Sequence, residues 1–498
     1  MKRLFSLSLS LLFAQALLSQ AASDAIRYSH LNPGGTARFL GAGGAFGALG
    51  ADFGTLSTNP AGLALFRRSE FVLTPALHFG RSSSTLRGVG NVENEDDKSN
   101  FNFNNLGVVF FTEPRASRWR SFNVGLGYNK LANFHNAAFY EGKSKGSIMN
   151  GFFAEAQQVL GGGGSSEDLY PFGAGLALDA NAIYYQNGLL TYDFDSTRAA
   201  TLTRDQSLVT TGGINEMVVS FAGNYNDELM IGATIGVPFV KYELQGDYTE
   251  TDATDAVPYF DDLRYTEYLR TNGVGVNLKL GVIYRPTKML RFGAAFHTPT
   301  LMSLTDNYET TFRYAYTDGG GSNPGQNVFS PSGTTDYRLR TSWRAILSGA
   351  VLVNKHGFLS ADVEWVDYST NRFNLTADIA SSDNQTAERE LNNEIRRAYK
   401  QAMNLRLGGE LALDALRLRA GTSLLGKPGD TQNGFDVAFS GGIGLRLQSF
   451  YLDFGFRRTV GKNTVQPYAD PEVSPADQPI ADLKSRATDV LLTAGFKF

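Results

Sequence analysis

The sequence predicts an all-β transmembrane protein: an antiparallel outer-membrane β-barrel of about fourteen strands, with an N-terminal plug and a partly helical extracellular loop region. Three observations predict it. The chain end alternates, with Val490, Leu492, Ala494, Phe496 and Phe498 apolar and Asp489, Thr493, Gly495 and Lys497 between them; Leu491 is the one exception. A period of two that ends on a terminal aromatic describes a strand with lipid on one face and a polar lumen on the other. No segment after the N-terminus offers the roughly 18 consecutive apolar residues of a spanning helix. The composition is that of an exported barrel, with 54 glycines, 12% aromatics and no cysteine in 498 residues. The absence of cysteine excludes disulfides, thiol catalysis and thiolate-bound zinc. A net charge of −4 advertises no nucleic-acid face.

Residues 1–21 read as a secretory signal. Lys2 and Arg3 are followed by the apolar stretch Leu4 to Leu18 and the small-x-small site Ser19-Gln20-Ala21. Residues 22–68 are rich in Gly and Ala and lack alternation. Alternating segments fill 69–130 and return from about 208 to 498, with a long interruption at 131–207. The predicted strands are 70–86, 101–112, 121–130, 208–225, 229–248, 263–285, 289–314, 336–353, 357–374, 402–413, 416–425, 434–447, 450–464 and 483–498. Short connections such as Asn226-Asp227, Pro286-Thr287 and Asp414-Ala415 carry turn residues and are expected at the periplasmic end. Long ones, led by 131–207, are expected outside. A soluble sandwich also alternates, but here Arg406, Glu410, Arg417, Arg419 and Arg446 repeat along the polar face, and the apolar face ends in aromatics.

Residues 33–66, Pro-Gly-Gly-Thr-Ala-Arg-Phe-Leu-Gly-Ala-Gly-Gly-Ala-Phe-Gly-Ala-Leu-Gly-Ala-Asp-Phe-Gly-Thr-Leu-Ser-Thr-Asn-Pro-Ala-Gly-Leu-Ala-Leu-Phe, resemble the hatch of the FadL family of outer-membrane transporters for long-chain fatty acids and aromatic hydrocarbons. Asn59-Pro60-Ala61 matches that family's plug motif. The runs Gly273 to Thr300 and Gly357 to Glu364 are also similar to it. The resemblance implies fourteen strands in 69–498, a hatch in 22–68, passive uptake of a hydrophobic small molecule, and the outer membrane of a diderm bacterium as location. It implies neither enzyme activity nor a cofactor. Expected neighbours are outer-membrane lipid, lipopolysaccharide and the barrel-assembly machinery that reads a C-terminal strand ending in Phe498; a monomer is the default.

The 131–207 interruption is apolar for an extracellular loop. Phe134, Phe139, Tyr140, Ile148, Met149, Phe152, Phe153, Val159, Leu160, Phe172, Leu176 and Ile183 are the candidate ligand groove, partly at helical spacing. Such residues serve equally as the loop's own core. Lys143, Lys145 and Arg38 are candidate headgroup cations; Arg198, Arg291 and Arg344 are further lumen or loop cations. Asn59, Pro60 and Ala61 would anchor the plug or gate it. A lateral exit needs a strand that leaves the ladder, and Gly125 and Gly127 in the third strand are the candidates.

Other motifs carry little. The glycine run at 41–50 lacks nucleotide-loop spacing, with Phe46 in the way, and Ala137 stands where a phosphate loop ending Gly142-Lys143-Ser144 needs glycine. His30, His78, His135, His297 and His356 are scattered, so no metal site is expected. Two rivals keep the barrel and change its role: a protein-secretion component that binds protein partners at its outer loops, and a general diffusion pore.

Overall fold

Strand β1 (Glu70–Leu86) pairs with the last strand, β14 (Ala481–Lys497), from Glu70↔Lys497 to Leu86↔Ala481, and this antiparallel seam closes the wall. A computed structural model describes residues 22–115, 117–194, 197, 200–375, 382–429 and 434–498. The expected signal segment and Arg198 lie outside the described residues.

Between the seam strands run β2 (Asn94–Thr112), β3 (Trp119–Asn133, continued by Asn136–Lys145), β4 (Thr201–Tyr225), β5 (Leu229–Thr251), β6 (Phe260–Tyr284) and β7 (Leu290–His297, then Leu301–Asp318). They are followed by β8 (Gly333–Arg340, then Arg344–Leu352), β9 (Gly357–Asp367, then Arg372–Asn374), β10 (Gln401–Leu413), β11 (Leu416–Gly426), β12 (Phe435–Arg446) and β13 (Phe450–Val465). Each pairs with its chain neighbour, giving a closed fourteen-stranded antiparallel barrel. Among the described residues no helix is long and apolar enough to cross a membrane.

The strands break where the sequence forbids ladder bonds. Thr298-Pro299-Thr300 interrupts β7, because proline has no N–H; Thr298 N donates to Leu278 O at 2.9 Å and carries the wall past the break. Pro75 in β1 has the same consequence. The register to β2 shifts between Thr74 and Pro75, and the extra residue, Asn104, turns its amide inward to donate to Gly35 O at 3.1 Å. Two expectations need correction. β2 starts at Asn94, seven residues before the predicted start at 101. β3 runs on to Lys145, so the first part of the expected 131–207 loop is wall.

Outward residues are apolar and exposed: Leu452, Phe454 and Phe456 on β13, Leu492 and Phe496 on β14. Inward residues are polar and paired. Arg419 bonds Glu410 and Asp453 at 2.6 and 2.7 Å, Arg446 reaches Asp453 at 2.8 Å, and Arg344 and Arg406 both bond Glu364 at 2.6 Å. Lipid would not tolerate these charges; an enclosed lumen in which each meets its counter-charge does.

Residues 22–66 fill that lumen. A helix over residues 22–29 is half buried, and the short helix Ala37–Gly41 and two 3₁₀ turns, Phe53–Ser57 and Pro60–Leu65, are nearly all buried. Their bonds reach around the barrel. Ala37 N donates to Thr493 Oγ1 at 2.7 Å on β14, Gly43 N to Ser440 Oγ at 3.1 Å on β12, and Gly47 N to Asp362 Oδ2 at 2.9 Å on β9. Ser57 Oγ donates to Glu216 at 2.8 Å on β4, and Asn123 of β3 donates to Leu63 O at 2.7 Å. The backbones approach so closely that wall glycines are required. A methyl group at Gly408 would collide with Ala42 O, and one at Gly421 with Gly43 N.

This contact is testable. Gly408→Val should lower stability by roughly 1–3 kcal/mol through overpacking and expose residues 36–66 to protease. Gly349→Val, where a methyl group meets nothing within 4 Å, should change neither readout. Urea unfolding in vesicles and limited proteolysis measure both.

Candidate functional site

Asn59 is fully buried and holds three backbone groups at once. Its Nδ2 donates to Gly47 O at 2.6 Å within the plug and to Val282 O at 3.2 Å on β6, while its Oδ1 accepts from Ala61 N at 3.1 Å. The last bond caps the turn that Pro60 opens with a preset φ. Pro60 and Asn59 press on β5 and β6 where Gly232 and Gly281 leave room. The Asn59-Pro60-Ala61 motif therefore sits at a plug–wall joint.

The ladder between β2 and β3 is incomplete. The β2–β3 ladder runs only from Thr112↔Phe122 to Asn105↔Asn129. Above it β3 bends, with a register shift between Lys130 and Ala132, and its continuation Asn136–Lys145 pairs with β4 alone. That continuation crosses behind β1: Ser82 Oγ donates to Asn136 Oδ1 at 3.1 Å, and Ser84 Oγ to Phe139 O. The stretch Asn94–Asn104 of β2 is thus paired with β1 and left without a ladder partner on its other side. Among the described residues, Asn133 Nδ2 reaches across to Asn100 Oδ1 at 3.2 Å.

Gly125 and Gly127 do not form this window, which corrects the expectation about them. Both are paired on either side, Gly125 with Val109 and Ser220, Gly127 with Gly107 and Val218. They are glycines because Leu56 and Phe53 of the plug lie against them. The bend lies beyond them, at Lys130–Ala132.

Beside the bend is a lumen cavity. Tyr28, Leu31 and Pro33 of the N-terminal segment close it against Leu131, Glu216, Lys279, His297, Arg344 and Glu364 of the wall. Its free volume is about 30 Å³, room for one water molecule. Both cations that line it are neutralised, Lys279 by Glu216 and Arg344 by Glu364. Burial pushes the His30 imidazole down to about 4, with Arg344 adding to the effect, so this segment docks with His30 neutral. Above the cavity an apolar layer surrounds the ion pair of Arg27 with Asp24, and Arg27 lies 4.2 Å over the Tyr242 ring. Ala22, Ala25 and Tyr28 pack with Leu131, Ile214, Val240, Tyr242, Met302 and Leu304, and the layer continues to Phe373 and to Leu391 and Ile395 of the extracellular helix Ser382–Ala398.

The expected ligand groove does not form as one surface. Phe134 faces Tyr242 at 5.5 Å in the lumen layer, whereas Tyr140 is buried with Leu86 and Ala481. Phe139 is half-buried on the β3 continuation. Ile148, Met149, Phe153, Leu176 and Ile183 are buried in a separate extracellular core, with Phe152, Val159 and Leu160 packed against it, while Phe172 is buried against Tyr170 and Tyr308. Asp470 ties a neighbouring loop onto this core, accepting from Ser147 N and Asn150 Nδ2 at 2.9 and 2.8 Å; burial pushes its carboxyl up. The loop-core reading is the one the packing realises.

The candidate headgroup cations are also placed elsewhere. Arg38 lies in the plug, 3.5 Å from Glu410 and donating to Ala51 O at 2.9 Å. Arg291 donates to Leu49 O at 2.6 Å. Lys145 meets Asp477 at 3.5 Å on the outer rim, and Lys143 is exposed two residues before it. The cation that sequence reasoning missed is Lys130. It is buried at the bend, and among the described residues it has no carboxylate within ion-pair distance. Its position in an otherwise regular strand gave no signal.

The family described as "Outer membrane protein transport protein (OMPP1/FadL/TodX)" matches residues 170–476 of the chain. No curated protein matches it. Similar solved structures include a Pseudomonas aeruginosa FadL homologue, at 14% identity over 94% of this chain and 100% of that one, TM-score 0.51. The toluene transporter TodX of P. putida is similar at 11% identity over 93% and 99%, TM-score 0.52. With the closed barrel and the filled lumen in place, the family match carries the assignment: this chain belongs to the OMPP1/FadL/TodX family of outer-membrane transport proteins.

Proposed function

We propose that this protein carries hydrophobic small molecules passively across the outer membrane and releases them sideways through the window at the β3 bend. The observation that carries the reading is the position of that bend: Leu131 belongs both to the interrupted strand and to the lining of the lumen cavity. The apolar layer from Ile395 and Leu391 to Tyr28 offers a path from the outer face to that point. Partition of apolar area, at about 25 cal/mol per Å², drives the transfer without energy coupling. The cavity is too small for cargo while Tyr28 and Leu31 are seated, so the N-terminal segment moves when cargo enters.

Lys130 narrows the cargo class. The carboxylate that acts on Lys130, Asp489, stands beyond ion-pair distance and is already held by His78 and Arg457; a buried cation so placed is costly, and a ligand carboxylate at the window would relieve that cost. The best-fitting cargo is an apolar chain with one acid group. Lys279 and Arg344 are already neutralised and do not compete for it.

Three measurements in proteoliposomes test this reading. Lys130→Gln should lower uptake of a labelled long-chain fatty acid about tenfold, roughly 1.4 kcal/mol, and leave toluene uptake unchanged; equal loss for both would refute a carboxylate contact. The double variant Asn100→Cys and Asn133→Cys places a single disulfide across the window in a chain without other cysteines. Oxidation should abolish uptake and reduction restore it. Asn59→Ala strands Gly47 O and Val282 O at roughly 1–3 kcal/mol each. It should raise hydrogen exchange in residues 36–66, and uptake that stays at the wild-type rate would remove the motif from the mechanism.

A further inference from the structure

Phe71 of β1, Phe496 of β14 and Phe450 of β13 lie in one register row on the outer face, at the end with short connections. Ten residues along each strand, Arg81, Arg486 and Val460 form a second row. With a rise of about 3.3 Å per residue and a tilt of about 40°, ten residues climb roughly 25 Å, the height of the apolar band of such barrels. The chemistry changes at that height on all three strands. Below it the outward residues are Leu77 and Phe79, Val490 and Leu492, Phe454 and Phe456. At and around it they are Arg81, then Arg486 and Lys484, then Arg458 and Lys462, all outward and incompletely covered.

The arrangement is electrostatically unfavourable for the protein alone. Arg81 stands directly opposite Arg486, and Lys462 directly opposite Lys484. Like charges facing across a ladder destabilise it. The local carboxylates answer only part of this charge. Glu95 is shared between Arg81 at 3.7 Å and Arg486 at 4.0 Å, and Glu93 meets Lys484 at 3.0 Å. Asp482 is taken by Arg87 at 2.8 Å, and Asp97 of β2 stands opposite Arg81 in the register. Among the described residues Arg458 and Lys462 join no ion pair, and the Lys427 ammonium, which donates to Lys462 O, adds further positive charge there. Asp436 holds Lys427 at 3.5 Å.

We propose that this outward face of β13, β14 and β1 binds the phosphates of a phosphorylated glycolipid in the outer leaflet. The height puts the basic row at the headgroups, and Arg458 and Lys462, which join no ion pair among the described residues, leave a position beside Lys484 for a phosphate. The aliphatic and aromatic residues directly below supply the surface for its acyl chains. This site is separate from the lumen and does not depend on the cargo.

The full chain, purified in detergent, tests it by native mass spectrometry and thermal unfolding with added diphosphoryl lipid A. Arg458→Gln with Lys462→Gln breaks no ion pair and should still weaken lipid A retention about tenfold. Lys462→Arg with Lys484→Arg keeps the charge and should retain wild-type binding. Without lipid A the neutralised variant should unfold no earlier than wild type; with it, only wild type should be strongly stabilised. Equal lipid A affinity in wild type and the neutralised variant would overturn the proposal. So would equal binding of free pyrophosphate, which would make the face a general phosphate surface.

Discussion

In hydrocarbon a backbone amide has no water to bond, so a wall strand must be paired on both edges or shielded by protein. Everything in this structure follows from how the chain meets that demand. The β1–β14 seam removes the free edges of the sheet. At Thr298-Pro299-Thr300 neighbouring strands take over the missing bonds. At the β3 bend the demand is not met by the ladder. The β2 stretch Lys98–Asn104, below the Arg81 row, keeps one edge open while the bent strand slides behind β1. An unpaired edge at membrane depth is tolerated where it lines an enclosed space, and the lumen beside Leu131 is such a space.

The lumen meets the complementary demand. Most inward charges are paired, and they form a belt from His78, Arg457 and Asp489 through Asp453, Arg419 and Glu410 to Glu364 and Glu216, with Lys130 the exception at the bend. The plug joins this belt mainly through backbone groups. Small residues let its chain approach the wall, and bonds such as Asn123 to Leu63 O satisfy carbonyls that a folded helix would have kept for itself. The seat is held by many weak links, spread around the whole circumference.

The strands were legible because lipid on one face and polar lumen on the other impose a strict period of two. Even the exception at the chain end has a local cause: Leu491 is buried against Phe39 and Leu40 of the plug, an apolar patch inside the lumen. The extracellular region was not legible. A half-helical apolar spacing cannot tell a ligand surface from a core, and there the core won: Met149, Phe153 and Ile183 face one another. The bend escaped notice because glycine suggested flexibility at Gly125 and Gly127, whereas those positions answer to Leu56 and Phe53 pressing from inside. The leading segment's apolar seat, with Tyr242, Phe373 and Ile395, is assembled from three distant parts of the chain, and no local pattern announces it.

The bond from Ala37 N to Thr493 Oγ1 joins residues 456 positions apart. The seat of the plug is therefore complete only when the last strand has joined the first. An assembling barrel leaves part of its glycine-rich plug unplaced until that seam forms, and such late, long-range docking is slow. Sealing the bore is then the closing act of biogenesis, which spares the cell a pore that is shut before it is whole.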